Sequence, residues 1–178
     1  MDPNECAFRA SGRRSSIAVV TVCLNDLPGL RSTGESVRSQ TQPPSQWIVA
    51  DGASTDGSQQ WLETLDWPLL RWSSCRDGGI YQGMNKGLDE VDADYVLFLN
   101  SGDVLCDTGV LASVSEFLAD CPVPPSLLYG DSYEVDLLGR DFLRRARPAW
   151  WIWLGMPTTH QAMYFRRDAL AEGFDTRY

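Results

Sequence analysis

Four times in the first hundred residues an apolar, β-rich run gives way to a segment of helical character. SIAVVTVCL (16–24) is continuous and β-branched, the pattern of a strand buried on both faces. Residues 27–40 read as a helix, with Pro28 near its start, where a missing N–H is tolerated. QWIVA (46–50) is a second strand, closed by DGASTDGS. The helix expected over 56–65 opens with Asp56 and Gln59 spaced as a capping box. PLLRWSS (68–74) is a third strand. In the segment 76–91, Ile80, Met84 and Leu88 recur every four residues and predict one buried helix face. DYVLFLN (94–100) is the fourth strand and the most apolar. Such alternation folds into an α/β protein with an open, mostly parallel sheet.

In these sheets ligands sit beyond the carboxyl ends of the strands. Here those ends carry Asn25 and Asp26, then Asp51, then Arg76 and Asp77, then Asn100 and Asp103. Four successive strand ends thus supply polar side chains. Further on, 110–120 reads as a helix and CPVPP (121–125) breaks it. Segments 126–135 and 141–146 read as strands with a turn at Gly139-Arg140, 160–167 as a late strand, and RDALAEGF as a short helical piece. Residues 1–15 read as a loose tail and 16–178 as one domain.

The formal net charge of -9 argues against a nucleic-acid partner, which needs a basic face. It leaves room for a nucleotide ligand, whose charge a bound cation can neutralise. The five cysteines lack CxxC spacing, which points to free thiols in a reducing, cytoplasmic setting. His160 is the single histidine, so a multi-histidine metal centre is excluded. No apolar run has the length of a membrane span, and the first fifteen residues lack the apolar core of a signal peptide.

Each candidate residue has a plain reading beside its functional one. Asp51-Gly52 is a turn dipeptide, or a carboxylate placed to accept an N–H from a uracil-like base or a ribose hydroxyl. Asp56 reads as a helix cap. Asp77, ahead of Gly78-Gly79, either caps the next helix or faces the same crevice as Asp51. Lys86 reads as part of a solvated face. LNSGD (99–103) is a polar turn by itself. Beside Asp51 and Asp77 it becomes a place for Asp103 to hold Mg²⁺ or Mn²⁺, with Ser101 and Gly102 leaving room for a diphosphate. His160 is a structural histidine, or it completes the metal sphere or touches the diphosphate. Trp150, Trp151 and Trp153 are core residues, or a platform for sugar faces or a membrane interface. Arg144, Arg145 and Arg147 are a solvated face or meet an anionic, lipid-linked acceptor.

In order, TVCLND, DGASTDGS, RDGGIYQGMNKGL, DYVLFLNSGD and THQAMYFRR resemble glycosyltransferase family 2, of the bacterial polysaccharide type. The resemblance covers about residues 16–178. It implies a GT-A fold, a Rossmann-like, mostly parallel open sheet with helices on both faces, here incomplete at its C-terminal end. It implies inverting transfer of a sugar from a nucleotide-diphosphate donor, UDP-type favoured, to a saccharide or lipid-linked acceptor, with peripheral membrane contact. By that likeness Asn25, Asp51, Asp77 and Ser101 line the donor site, LNSGD stands in place of a DXD-type motif, and Asp103 holds the cation. Asn100 and Gln82 stand where relatives often carry aspartate. The general base is expected beyond Tyr178; Asp175, the nearest carboxylate, does not match its motif. Two other readings stay open: a catalytically weak nucleotide-sugar binding module, and a Mg²⁺-dependent nucleotidyltransferase. No GxxxxGK[ST] loop is present, and NDLPGLR replaces the GxGxxG turn of a dinucleotide-binding dehydrogenase.

Overall fold

The computed structural model describes residues 14–135 and 138–177, so most of the expected tail lies outside the described residues. Among the described residues eight strands form: β1 (Ile17–Cys23), β2 (Gln46–Asp51), β3 (Leu70–Ser74), β4 (Tyr95–Phe98), β5 (Leu127–Tyr129), β6 (Ser132–Val135), β7 (Asp141–Arg144) and β8 (Met163–Arg166). The helices are α1 (Leu27–Arg38), α2 (Ser58–Glu63), α3 (Ile80–Asp89) and α4 (Val110–Asp120). Six strands make one sheet in the order β3-β2-β1-β4-β8-β5; β6 and β7 pair as a separate antiparallel hairpin. β1 to β4 are parallel, and β8 runs antiparallel between β4 and β5.

All seven residues of β1 are buried, as a central strand covered on both faces requires. Side chains alternate along it. Ile17 and Val19 join Leu30 and Val37 of α1, Leu62 of α2 and Leu111 and Leu118 of α4 on one face. Ala18, Val20 and Val22 join Met84 and Leu88 of α3 on the other. Helices therefore cover both faces, and the carboxyl ends of β1 to β4 lie along one edge of the sheet.

Four expectations need correction. Ile80 does not share the buried stripe of α3: it sits at the first turn, largely exposed, and Gly83 and Gly87 line the buried face with Met84 and Leu88. Those glycines let the helix backbone approach Val22 and Val20. Lys86 is half-buried, and its Nζ donates to the Cys75 and Arg76 carbonyls at 3.4 and 3.3 Å, holding the end of β3. The strand expected over 126–135 breaks at Gly130-Asp131 into β5 and β6, which belong to different sheets. Residues 160–162 form a 3₁₀ turn, and the late strand begins at Met163.

Asp56 stands one residue ahead of Gly57, the N-cap of α2, and still binds the first N–H of the helix, but no reciprocal capping box forms. Its Oδ2 accepts from the Leu27 N–H at 2.7 Å, and its Oδ1 from the Ser58 N–H and hydroxyl at 3.1 and 2.7 Å. Gln59 instead donates to the Ser54 carbonyl. One carboxylate thereby serves the starts of α1 and α2. The Ser58 hydroxyl, with the Leu27 and Ser58 N–H groups, holds its carboxyl below the usual range. A depressed carboxylate contributes stability above its unfolded pKa and loses it as pH falls through the folded value. Asp56→Ala is therefore expected to melt below wild type at pH 7, with the gap narrowing as pH drops below about 4. Thermal melts of both proteins across that range check it; a gap independent of pH would assign the cap no ionic part.

Candidate functional site

The parallel register sets out the strand ends. Cys23 at the end of β1 pairs with Asp51 at the end of β2, and Asp51 pairs with Ser74 of β3. Beyond β4, the Ser101 N–H donates to the Val22 carbonyl at 3.0 Å, placing the LNSGD turn beside β1. Adjacent strands lie about 4.8 Å apart, so the ends of β2 and β4 stand roughly 10 Å apart across β1.

Asp51 is almost fully buried, at 2% exposure. Its Oδ2 accepts from the Ser54 N–H at 2.9 Å and the Ser74 hydroxyl at 2.6 Å, while Oδ1 has no partner among the described residues. Asn25 follows β1 with a positive φ of 50°. Its Oδ1 accepts from the Thr55 N–H at 2.8 Å and its own N–H donates to the Ser54 hydroxyl, so it ties the β1 loop to the β2 loop. Asp77 stands ahead of α3 with Oδ1 accepting from the Gly79 N–H at 3.2 Å. A methyl at Gly52 would lie 3.5 Å from Asp77 Oδ2, and one at Gly83 would lie 3.3 Å away. Asp77 thus reaches back over the end of β2, and the two glycines leave it room.

The second group surrounds the end of β4. The Asp103 Oδ2 accepts from Gln161 Nε2 at 3.1 Å. Burial pushes its carboxyl above the ordinary range, and Gln161 and His160 pull it partly back. His160 Nε2 lies 3.1 Å from Asn100 Nδ2, so the amide donates to a ring nitrogen that carries no proton. Burial lowers the His160 pKa against the pull of Asp103, in keeping with a neutral ring. The Asn100 Oδ1 is buried without a partner among the described residues. Thr33 of α1 fixes the turn: its hydroxyl donates to the Asp103 carbonyl at 2.7 Å and accepts from the Gly102 N–H at 3.1 Å. Gly102 turns there with φ of 91°.

Asn25, Asp51 and Asp77 therefore surround the ends of β1 to β3, and Asp103 and His160 surround the end of β4. Ser101 stands between, beside β1, and the buried Cys23 thiol there is pushed upward in pKa by burial and the Asp51 charge. Gln161, Ser54, Ser74 and Thr33 carry contacts that the sequence did not announce. The serines sit in a turn-rich loop and at a strand end, where side chain-to-backbone bonds are common. Thr33 and Gln161 meet the turn only through tertiary packing. Asp175 accepts three hydrogen bonds from the Arg177 guanidinium, at 2.9, 3.1 and 2.6 Å, which hold it below the usual range and make it a poor proton acceptor.

Among the described residues no three His, Cys, Asp or Glu side chains converge as a metal cage. Asp103 and the orphaned Asn100 oxygen offer a sparse oxygen set, while the one free lone pair of the neutral His160 ring is taken by the Asn100 amide. That fits a hard cation which takes its remaining ligands from water and phosphate. Cys23, Cys75, Cys106 and Cys121 are free thiols.

Residues 18–174 match the family model described as Glycosyl transferase family 2. A Mycobacterium tuberculosis protein named an uncharacterized glycosyltransferase is 34% identical over 134 residues, 75% of this chain and 50% of its own length. A PGL/p-HBAD biosynthesis glycosyltransferase of Mycobacterium bovis is 29% identical over 123 residues, 64% of this chain and 45% of its own. The chain spans about half the length of these curated relatives. Among solved structures, the mannosyltransferase PcManGT from Pyrobaculum calidifontis, in complex with GDP-Man and Mn²⁺, superposes with a TM-score of 0.65 at 19% identity, over 93% of this chain and 49% of that one. Staphylococcus aureus TarS 1–349 in complex with UDP-GlcNAc gives 0.62 at 19% identity, over 88% and 47%. These likenesses establish the fold.

Proposed function

The chain belongs to glycosyltransferase family 2, and from that premise we propose that its carboxyl-end crevice binds a nucleotide-diphosphate sugar for inverting transfer to a saccharide or lipid-linked acceptor. One observation carries this reading. Two buried oxygens on the crevice edge, Asp51 Oδ1 and Asn100 Oδ1, have no hydrogen-bond donor among the described residues. Buried acceptors are rarely left so, and each such orphan costs on the order of 1–3 kcal/mol. A nucleoside diphosphate spanning β2 to β4 supplies what they lack: an N–H or hydroxyl for Asp51, and a cation for the Asn100 edge.

In this reading Asp51 and Asp77 orient the nucleoside, with Asn25 holding their loop. Ser101 leaves space for the diphosphate. Asp103, with the Asn100 oxygen beside it, would hold Mg²⁺ or Mn²⁺, and His160 orients the Asn100 amide. When bound, that cation supplies Lewis-acid stabilisation of the leaving diphosphate. The acceptor oxygen forms its bond to the anomeric carbon as the bond to the diphosphate breaks, and the hydroxyl proton passes to a base. We assign that base to no described residue. The donor in PcManGT carries guanosine and that in TarS carries uridine, so the base is read by experiment; UDP is our first choice.

Calorimetric titration of the chain with UDP, GDP and dTDP, with and without Mn²⁺, is expected to show cation-dependent binding of at least one. Binding of none, or binding indifferent to Mn²⁺, rejects the reading. Release of nucleoside diphosphate marks sugar transfer, and release of pyrophosphate would assign nucleotidyl transfer instead.

A further inference from the structure

We propose that the β6–β7 hairpin is a homodimer interface, in which β7 pairs antiparallel with β7 of a second copy about a two-fold axis. The hairpin stands apart from the six-stranded sheet, and among the described residues no third strand joins it. Two strands by themselves are marginal in water; three or more with an apolar face are needed for independent stability. All four residues of β7 are exposed, and the edge turned away from β6 presents a row of backbone N–H and C=O groups to another strand. The hairpin is held ready for that pairing. At its base the Ala146 N–H donates to Asp131 Oδ1 at 2.8 Å, and the Tyr129 hydroxyl donates to the Arg147 carbonyl at 3.1 Å.

The sequence of β7 selects both the partner and the register. Hydrogen-bonded and non-hydrogen-bonded positions alternate along an antiparallel pair, so a strand facing its own copy must set one residue opposite itself. With Leu143 on the axis, Leu143 faces the partner's Leu143, Phe142 faces the partner's Arg144, and Asp141 faces the partner's Arg145. Asp141 and Arg145 are exposed, and neither has an ion-pair partner among the described residues. Four positions apart on an extended strand, they stand roughly 13 Å from each other and cannot pair within one chain. The axis brings them together twice. Arg144 keeps its ion pair with Glu134 and adds the ring of the partner's Phe142. With Phe142 on the axis, Arg140 would face the partner's Arg144. With Arg144 on the axis, two like charges would meet directly, which destabilises a strand pair.

The apolar side chains agree with the same axis. Tyr133 and Leu143 are register partners and share one face of the hairpin, 61% and 42% exposed. Pairing about Leu143 continues them into the partner's Leu143 and the partner's Tyr133, one apolar row across four strands. Trp150 and Trp153 extend the exposed surface past the end of β7, on the 3₁₀ turn Ala149–Trp153, which has no buried residue. An exposed apolar patch of this kind marks an interaction surface. Charge favours a second copy as its occupant. Residues 131–156 hold Asp131, Glu134, Asp136 and Asp141 against Arg140, Arg144, Arg145 and Arg147, so this segment is neutral and the net charge of -9 lies on the rest of the chain. Two copies repel over most of their surfaces and meet without net repulsion here. β5 ends at Tyr129 opposite Met163, the first residue of β8, which runs antiparallel to β4. The hairpin therefore leaves the sheet at its carboxyl edge, and the dimer joins the subunits on the crevice side.

The test is sedimentation velocity of the 178-residue chain, without ligand, from micromolar to submillimolar concentration. A monomer–dimer equilibrium is expected. Asp141→Arg and Arg145→Asp, each introduced singly, set like charges opposite each other at two places and are expected to raise the dimer dissociation constant at least about tenfold. Asp141→Arg together with Arg145→Asp exchanges the two charges and is expected to return the constant to within about threefold of wild type. Both positions are exposed, so the circular-dichroism spectrum is expected to stay unchanged in all three variants. A chain that stays monomeric overturns the proposal. So does a dimer indifferent to the single reversals, or a double variant as weak as the single ones. A monomer that co-sediments with phosphatidylcholine vesicles would give the face to a bilayer and overturns it as well. Because dimerisation is read without nucleotide, it can fail with nucleotide binding intact, and the reverse.

Discussion

Asp103→Asn is expected to abolish cation-dependent nucleotide binding while raising the melting temperature of the ligand-free chain at pH 7. The two effects share one cause. Burial disfavours the charged carboxyl, and Gln161 and His160 offset only part of that cost. A carboxylate whose folded pKa is raised lowers stability once ionised. The penalty is absent where both states are protonated, grows as pH rises through the ordinary carboxylate range, and is complete above the folded value. Asparagine removes the charge but keeps an oxygen to accept from Gln161 Nε2. The backbone bonds of residue 103 to Thr33 and Asn100 are untouched. The variant should therefore melt above wild type at pH 7, an advantage that fades below about pH 4. A neutral amide holds a hard cation far less well, and nucleotide affinity in Mn²⁺ should fall on the order of 100-fold. Scanning calorimetry and titration with UDP and Mn²⁺ read both effects. Unchanged Mn²⁺-dependent affinity would remove Asp103 from the cation site. A lower melting point would show its charge already compensated within the fold.

The residues in the sequence that announced the fold act over short range. The β-branched run of β1, the apolar run of β4 and the polar residue closing each parallel strand all follow from burial on two faces and from alternation with helices. The family match and the observed sheet agree with that reading. What was not legible depends on long-range placement. β8 enters antiparallel beside β4 and so carries Gln161 to Asp103 and His160 to Asn100. Nothing in the spacing of residues 160–167 specifies that neighbour. Ile80 fitted the helical stripe and is exposed because it occupies the first turn, beyond the cover of the sheet. Lys86 looked solvated because a sequence does not reveal which carbonyls end beside a helix. Asn25 was read as lining the donor site, and its oxygen is committed to Thr55. Whether it also meets a ligand is decided by the nucleotide titration.

The contact between α3 and the sheet yields the second large effect. Gly87→Ala is expected to destabilise the chain by about 2 kcal/mol, although alanine is the better helix former by about 1 kcal/mol. A Cβ at residue 87 would lie 2.4 Å from Val20 Cγ1. Val20 has no exposed surface and stands mid-strand, with register partners Ile48 on β2 and Phe98 on β4. Its branched side chain has little rotamer freedom, so relief requires α3 to move away from the sheet. That movement also loosens the packing of Met84 and Leu88. Val20→Ala by itself leaves a void and costs stability, whereas Gly87→Ala with Val20→Ala places the new methyl where the old one stood. The pair should therefore be less destabilised than the sum of the single variants, by about 1 kcal/mol or more. Additive urea-unfolding energies would show that the helix accommodates the methyl without pressing on Val20. The site gives a further readout. Gly83, one turn earlier, meets both Val22 and Asp77 Oδ2, at 2.7 and 3.3 Å from its added Cβ. Gly83→Ala should weaken nucleotide binding more than Gly87→Ala does at similar stability, because it alone crowds the carboxylate. Equal losses of affinity would mean that the sheet-to-helix distance, rather than the room left around Asp77, governs donor binding.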